Sequence, residues 1–545
     1  MTRRTVRTTQ SPVGEVEQDI PGLGRMKGLI YANGVRQFLG VPYATLAKRW
    51  TRSKLATSWP NDSHDGRDLG TQAPNPPEFR ETGDLTPIDT FAHLTEPVED
   101  EATCLILNIV LPPADTTDSG SWPVMFYIHG GSLVFGGGNR SIFDGVNFVS
   151  RSIAIGKPVV AINMNYRVGL GGFLASKDIL EDMKRDGLEG VGNWGLTDQQ
   201  VALKWVQKYV AALGGDPTNV TAYGLSAGGI SIGHQLRARE PPVFHRAICM
   251  SGVEHTIPTM TLDDHEKIYQ RALKHFNISS SDPQALDKLR AVPELDLADA
   301  TFAIYAVPNV ASSPCDDGVF HLAPTDPEKY HTPPSWLKTF MVGDVRDEGE
   351  IFIRPMNESR DYAWFMDHLC REMSKEDATW ILDSYDITPE ADLAMRINLM
   401  KTLFGEISFG YPQRRTLQAS TLVDSYGYHF DLPSKIQKGF PGKSFHALDL
   451  QYVFLNMHDE LDEQDHQFGN VVADTYLRFA HGEAPWAPYQ PSAQWGVFTP
   501  EYTVEVRTEE QDDKVRKYSR WDQIEEKGLM GPLTRAYRQI RRSYA

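Results

Sequence analysis

Cysteine is scarce in this 545-residue chain, with four in all: Cys104, Cys249, Cys315 and Cys370. They are widely spaced, form no C-x-x-C pair and join no histidine in a metal-ligand pattern, so neither a disulfide scaffold nor a structural zinc site is expected. They read as small buried hydrophobes in a reducing compartment. Long apolar runs are missing as well: no segment approaches the ~18 apolar residues that a membrane span requires. No apolar stretch after Arg3, Arg4 and Arg7 could form the centre of a secretory signal, and Glu15, Glu17 and Asp19 come too early for a mitochondrial presequence. A cytoplasmic location is the expectation. Positive charge is in deficit, since 54 Lys and Arg face 72 Asp and Glu and leave a formal charge of -18. Such a surface repels phosphate backbones and anionic headgroups, so nucleic acid is not an expected partner. The basic C-terminal turns (Arg535, Arg538, Arg541, Arg542) read as a solvated helix face. Repeats, low-complexity tracts and Gly/Ser linkers are absent too. The simplest organisation is a flexible segment over residues 1–18 followed by one domain over 19–545.

The material present suits a large globular core. Short runs rich in Val, Ile and Phe recur between longer amphipathic stretches: Leu105 to Leu111, Val124 to Ile128, Val159 to Met164, Val220 to Tyr223, Ala247 to Met250 and Thr339 to Val342. That alternation predicts an α/β fold, a large and mostly parallel sheet covered by helices, with insertions. The clearest helix is expected from about Asp198 to Ala212. Thr197 and Gln200 fit a capping box there, and Val201, Ala202, Trp205, Val206 and Tyr209 recur at helical spacing.

A turn at Gly214, Gly215, Asp216 and Pro217 leads into the Val220 to Tyr223 strand, and Gly224-Leu225-Ser226-Ala227-Gly228 follows directly. At Gly and Ser frequencies of about 7 %, this pentapeptide arises by chance in roughly one such chain in five. Its position between a strand and a helix from Ala227 to Arg237 is what gives it meaning. A serine on that tight bend is exposed at the top of the sheet, and the helix N-terminus favours the anion that develops during acyl transfer. The Val124 to Ile128 strand ends in His129-Gly130-Gly131-Ser132, with Gly136, Gly137 and Gly138 close behind. A loop of this kind can turn backbone N–H groups toward one point, beside the N–H of Ala227.

These residues resemble the type-B carboxylesterases, which include the cholinesterases and several lipases. Gly40-Val41-Pro42-Tyr43, Asn165-Tyr166-Arg167-Val168-Gly169, Gly192-Asn193-Trp194-Gly195-Leu196 and Asp347-Glu348-Gly349 look like that family's landmarks in its order, across roughly residues 28 to 500. The resemblance implies an α/β-hydrolase fold with helical insertions and a small-molecule carboxylic ester as substrate, with no cofactor or metal. It implies catalytic Ser226, Glu348 and His446, with oxyanion donors on Gly131, Ser132 and Ala227. Asp347 and Glu350 are adjacent rivals for the acid. His368, His429, His458, His466 and His481 also follow it, but only His446 occupies the family's position. His129 reads as part of the oxyanion loop.

Three departures modify the expectation. Ser132 stands where the family usually has a third Gly, which costs the loop conformational freedom. Leu225 replaces a frequent acidic residue, so neutral or apolar esters fit better than cationic ones. Ala73 occupies the place of the cysteine that pairs with the Cys104 position in secreted members, which supports an intracellular enzyme. The sequons at Asn61, Asn219, Asn277 and Asn357 then read as chance. Two other functions remain open on this fold: acyl transfer, lactone opening or cyclisation in a biosynthetic pathway, and a catalytically silent binding protein.

Overall fold

Side chains along a strand point alternately to its two faces, and both faces of these strands are apolar. Within Trp122–Ile128, Val124, Phe126 and Ile128 enter one apolar cluster with Val160, Ile162 and Ala222, while Met125 and Tyr127 enter a second with Ala161, Tyr223 and Ile248. A parallel sheet requires such covering on both sides. The computed structural model describes residues 11–542 apart from 81–90, 117–120, 242, 306–311, 327, 353–359, 422 and 438.

The sheet's strands are β1 (Pro12–Ile20), β2 (Gly24–Tyr31), β3 (Arg36–Pro42), β4 (Ile106–Leu111), β5 (Trp122–Ile128) and β6 (Val160–Met164). They continue with β7 (Gly215–Leu225), β8 (Arg246–Met250), β9 (Thr339–Val345), β10 (Asp424–Phe430), β11 (Gln494–Phe498) and β12 (Val504–Thr508). Their order is β1-β2-β3-β4-β6-β5-β7-β8-β9-β10-β11-β12, and a short strand, Ser63–Asp65, adds to β2. From β6 to β11 every neighbouring pair is parallel, and antiparallel strands close both sides. Six helices position the site: α1 (Trp194–Tyr209), α2 (Ala227–Leu236), α3 (Leu393–Gly405), α4 (Tyr411–Ala419), α5 (Asp449–Phe454) and α6 (Glu463–Ala480). Leu203, Val206 and Ile230 place α1 and α2 on one face, whereas Tyr452, Phe454, Val472 and Leu477 place α5 and α6 on the other.

Several local expectations are corrected. Within the segment expected to be flexible, residues from Pro12 onward form β1, paired with β2 from Pro12↔Tyr31 to Ile20↔Gly24. Arg25 pairs with Glu17 and Asp19 at 3.2 and 2.9 Å on the exposed surface of that hairpin. Helix α1 begins at Trp194, four residues before the expected start. Asn193 precedes it at φ 56°, its amide committed in both directions to the backbone of Cys315, and Thr197 donates its hydroxyl to Trp194 O instead of capping. That tie and the complete burial of Trp194 outweigh the capping-box pattern. The turn read at 214–217 is confined to its first residue, since β7 already pairs with β5 at Gly215. Cys370 is exposed, unlike the other three cysteines. Arg535 is solvated as read: it is exposed and pairs on the surface with Glu328 and Glu372 at 3.0 and 2.8 Å. Asn357 lies outside the described residues.

Candidate active site

Ser226 lies between β7 and α2 with φ 55° and ψ -122°, a left-handed conformation that costs a non-Gly residue about 1–3 kcal/mol and persists only where its surroundings impose it. They do so here through backbone hydrogen bonds and missing side chains. Ser226 N donates to Met250 O on β8 at 2.7 Å, and Ile230 N to Ser226 O at 2.8 Å. A Cβ on Gly224 would come within 2.6 Å of Ile128 O, and one on Gly228 within 2.0 Å of the same atom. The two glycines of the pentapeptide therefore let the elbow press against β5. Ala227 is the first residue of α2, and the N–H groups of a first helical turn have no intrahelical acceptor.

The glycine loop leaves β5 at the same edge, because Ile128 pairs with Gly224. It passes so close to the elbow that a Cβ on Gly130 would lie 3.2 Å from Ser226 Cβ. Gly131, Ser132 and Leu133 all have positive φ, at 112°, 56° and 60°. Ser132 thus adopts the conformation the usual Gly would favour. Gly131 O accepts from Val134 N and Phe135 N, and neighbours tie the loop down from outside: Gly136 N to Asn75 at 2.5 Å, Gly138 N to Asn165 at 2.6 Å, Gly169 N to Leu133 O at 2.8 Å and Ser312 N to Ser132 O at 3.0 Å. His129 belongs to this scaffold. Its Nδ1–H donates to Gly130 O at 2.7 Å, its ring stacks on Tyr166 at 4.2 Å, and burial pushes its pKa down to about 3.

Glu348 begins a short 3-10 turn just past β9. Its Oε2 accepts from His446 Nδ1 at 2.5 Å, and its Oε1 accepts from Val345 N at 3.1 Å. His446 is 5 % exposed, and its Nε2 is the nitrogen left to exchange a proton. The rival acids are engaged elsewhere. Asp347 binds Lys443 and Ser444 N at 3.2 and 2.9 Å, and Glu350 binds Lys401 at 2.7 Å. Among the rival histidines, His429 also meets a carboxylate, Asp344, at 2.7 Å, but its Nε2 is taken by the Tyr518 hydroxyl at 2.6 Å and its ring stacks on Trp495. Leu225, Met250 and Gly343 are aligned across β7, β8 and β9, and Val345 across to Phe430 on β10. The elbow, the glycine loop and the acid-histidine pair all leave the sheet at its carboxyl edge.

One neighbour of the site escaped the sequence reading. Phe409 packs its ring 4.9 Å from that of His446, and it sits in a π-helical turn, Glu406–Gly410, between α3 and α4. Such turns concentrate at functional sites, but no sequence pattern announced this one. Behind Glu348 lies a cavity of about 360 Å³, lined by Asp347, Glu350, Lys401 and Lys443 among others; neither Ser226 nor His446 lines it. Among the described residues, His458, Asp459 and Glu460 bring possible metal-ligand atoms within 4.8 Å of one another, with His458 Nδ1 3.0 Å from Asp459.

Serine hydrolases of the α/β-hydrolase class carry nucleophile, acid and histidine in this chain order along one sheet edge. Known proteins narrow the class. Residues 11–525 match the Carboxylesterase family, and the chain belongs to it. It is an enzyme that hydrolyses carboxylic esters. It is 28 % identical to the para-nitrobenzyl esterase of Bacillus subtilis (strain 168), over 88 % of this chain and 94 % of that one. It is 27 % identical to lipase 3 of Yarrowia lipolytica (strain CLIB 122 / E 150), over 86 % and 89 %. The solved structure of a thermophilic PNB esterase superimposes with a TM-score of 0.71 at 25 % identity, covering 92 % of this chain and 99 % of the other.

Proposed function

We propose that Ser226 is the nucleophile of this esterase, His446 its general base and acid, and Glu348 the group that fixes the imidazole and stabilises its cation. The observation that carries this is the Glu348–His446 contact formed at the sheet edge where Ser226 is held in its strained bend. His446 Nε2 takes the hydroxyl proton as Ser226 Oγ bonds to the ester carbonyl carbon. The oxyanion so formed is held by the N–H groups of Gly131, Ser132 and Ala227. The C–O bond to the alcohol then breaks, His446 gives its proton to the departing oxygen, and an acyl-enzyme remains. Water repeats the sequence: it yields a proton to His446, the acid is released, and Ser226 regains its hydrogen.

Apolar or neutral esters are the proposed substrates. The support is an apolar Leu225 beside the nucleophile, a neutral His129 in the loop, Phe409 against His446, and relatives named as lipases and a para-nitrobenzyl esterase. Replacing Ser226 with Ala is expected to abolish both ester turnover and fluorophosphonate labelling; retention of either sinks the assignment. Across p-nitrophenyl esters, kcat/KM should rise with acyl length and exceed that for a choline ester, and the opposite ranking sinks the apolar reading. We also propose a cytoplasmic location. Its support is four cysteines free of disulfides, and recovery of the enzyme from culture medium instead of cytosol would count against it.

A further inference from the structure

The ladder between β9 and β10 ends at Val345↔Phe430, yet the chain past β9 goes on pairing. Its new partner is the loop that carries His446, which folds back from β10 to lie beside it. Asp347 N donates to Ser444 O at 2.8 Å, and Asp347 forms an isolated parallel bridge with Phe445. In a parallel pair, one step along one chain matches one step along the other. The residues that follow the bridge, Glu348 and His446, therefore fall opposite each other.

A single bridged pair is a short ladder, and side chains reinforce it. Asp347 Oδ2 accepts from Ser444 N at 2.9 Å, which closes a two-way clasp with the bond that runs from Asp347 N. Ser444 is 1 % exposed, and its hydroxyl donates to Phe430 O at 2.7 Å. Arg346 N donates to the same carbonyl at 3.1 Å, so one oxygen at the end of β10 ties down both loops. The other Asp347 oxygen meets Lys443, half-exposed, at 3.2 Å. An ion pair at such a surface adds little. The acceptor facing Ser444, more than the charge, is what holds the clasp.

We propose that Asp347 is a positioning residue: its carboxylate, clasped to Ser444, sets the register in which His446 meets Glu348. This rests on the Ser226–His446–Glu348 assignment. A catalytic relay works only within about 0.5 Å of its productive geometry, and a displacement of about 1 Å costs about 10²-fold in rate. Without the Asp347 acceptor the Ser444 N–H loses its partner, and the histidine loop shifts to satisfy it.

The test compares Asp347→Ala, Asp347→Asn and Ser444→Ala with the wild type on a p-nitrophenyl ester, with active sites counted by fluorophosphonate labelling carried to completion. Asp347→Ala should lose about 10- to 100-fold in kcat per labelled site with KM within about twofold, because the ester still binds while the relay is out of register. Asp347→Asn keeps an oxygen for Ser444 N and should hold kcat within about threefold. Ser444→Ala frees the loop from Phe430 O alone and should lose about fivefold with the same split between kcat and KM. A purely structural role gives another pattern: fewer labelled sites, each turning over at the wild-type rate. That pattern, wild-type kinetics in Asp347→Ala, or an Asp347→Asn variant as slow as Asp347→Ala would overturn the proposal. If Asp347→Ala does not fold, wild-type kcat per site in Ser444→Ala overturns it instead. Failure of the underlying assignment looks different: the wild-type enzyme would then not be labelled at Ser226 at all.

Discussion

Three carboxylates follow β9 within four residues, and their partners separate their roles. Asp347 and Glu350 are neutralised by lysines, whereas Glu348 turns inward to Nδ1 of His446. Replacing Glu348 with Gln keeps the shape but presents the wrong groups to Nδ1–H, and kcat should fall by about 10³–10⁴. Asp347→Asn should stay within about threefold, since it alters a partly exposed ion pair; steady-state kinetics on one ester compares the two. The order of Ser226, Glu348 and His446 was legible because the resemblance assigns each by position. What separates Glu348 from its neighbours was not, because that depends on Lys401 and Lys443, whose distance along the chain hides their proximity in space. Cys370 shows the same limit: residue type predicts burial on average, and only packing decides the case.

At the scale of elements, the bend between β7 and α2 was the most readable feature, and sterics explain why. Gly224 and Gly228 are demanded by contacts with one carbonyl, Ile128 O, so the local sequence carries the record of a long-range approach. Gly228→Ala places a methyl group 2.0 Å from that oxygen. The variant is expected to lose about 3 kcal/mol or more of stability and its fluorophosphonate labelling together, as read by urea denaturation and active-site titration. The start of α1 was less readable, because the Asn193–Cys315 tie spans 122 residues. The π-helical turn was unreadable. Its half-buried Glu406 is held by Tyr385, Trp521 and Arg520, and those three partners, not any propensity of the segment, give the turn its place.

For the molecule as a whole, the alternation of apolar runs was enough to predict layers but not their insertions, and its acid sensitivity follows from burial. Burial pushes His129, His234 and His265 down to about 3, 4 and 4. In the unfolded chain they titrate near 6.5, so on lowering the pH the unfolded state binds protons first. Stability is whole above about 6.5 and is lost as pH falls toward 4, by about 1.4 kcal/mol per pH unit for each histidine. Buried Asp144 and Asp449, raised to about 6 and about 7, oppose this in the same window, so urea midpoints should drop between pH 7 and pH 5 by less than the three rings alone would give, and a rise would show that these rings gain protons in the fold. The contact between Glu348 and His446 joins residues 98 apart, with an exposed turn at Pro389 and Glu390 between them. The two sides of that turn are also stitched by the parallel β9–β10 ladder from Thr339↔Asp424 to Val345↔Phe430. A protease that nicks there cuts the polypeptide without cutting the relay: the two fragments should co-migrate under native conditions, separate in denaturant, and hydrolyse ester until they do.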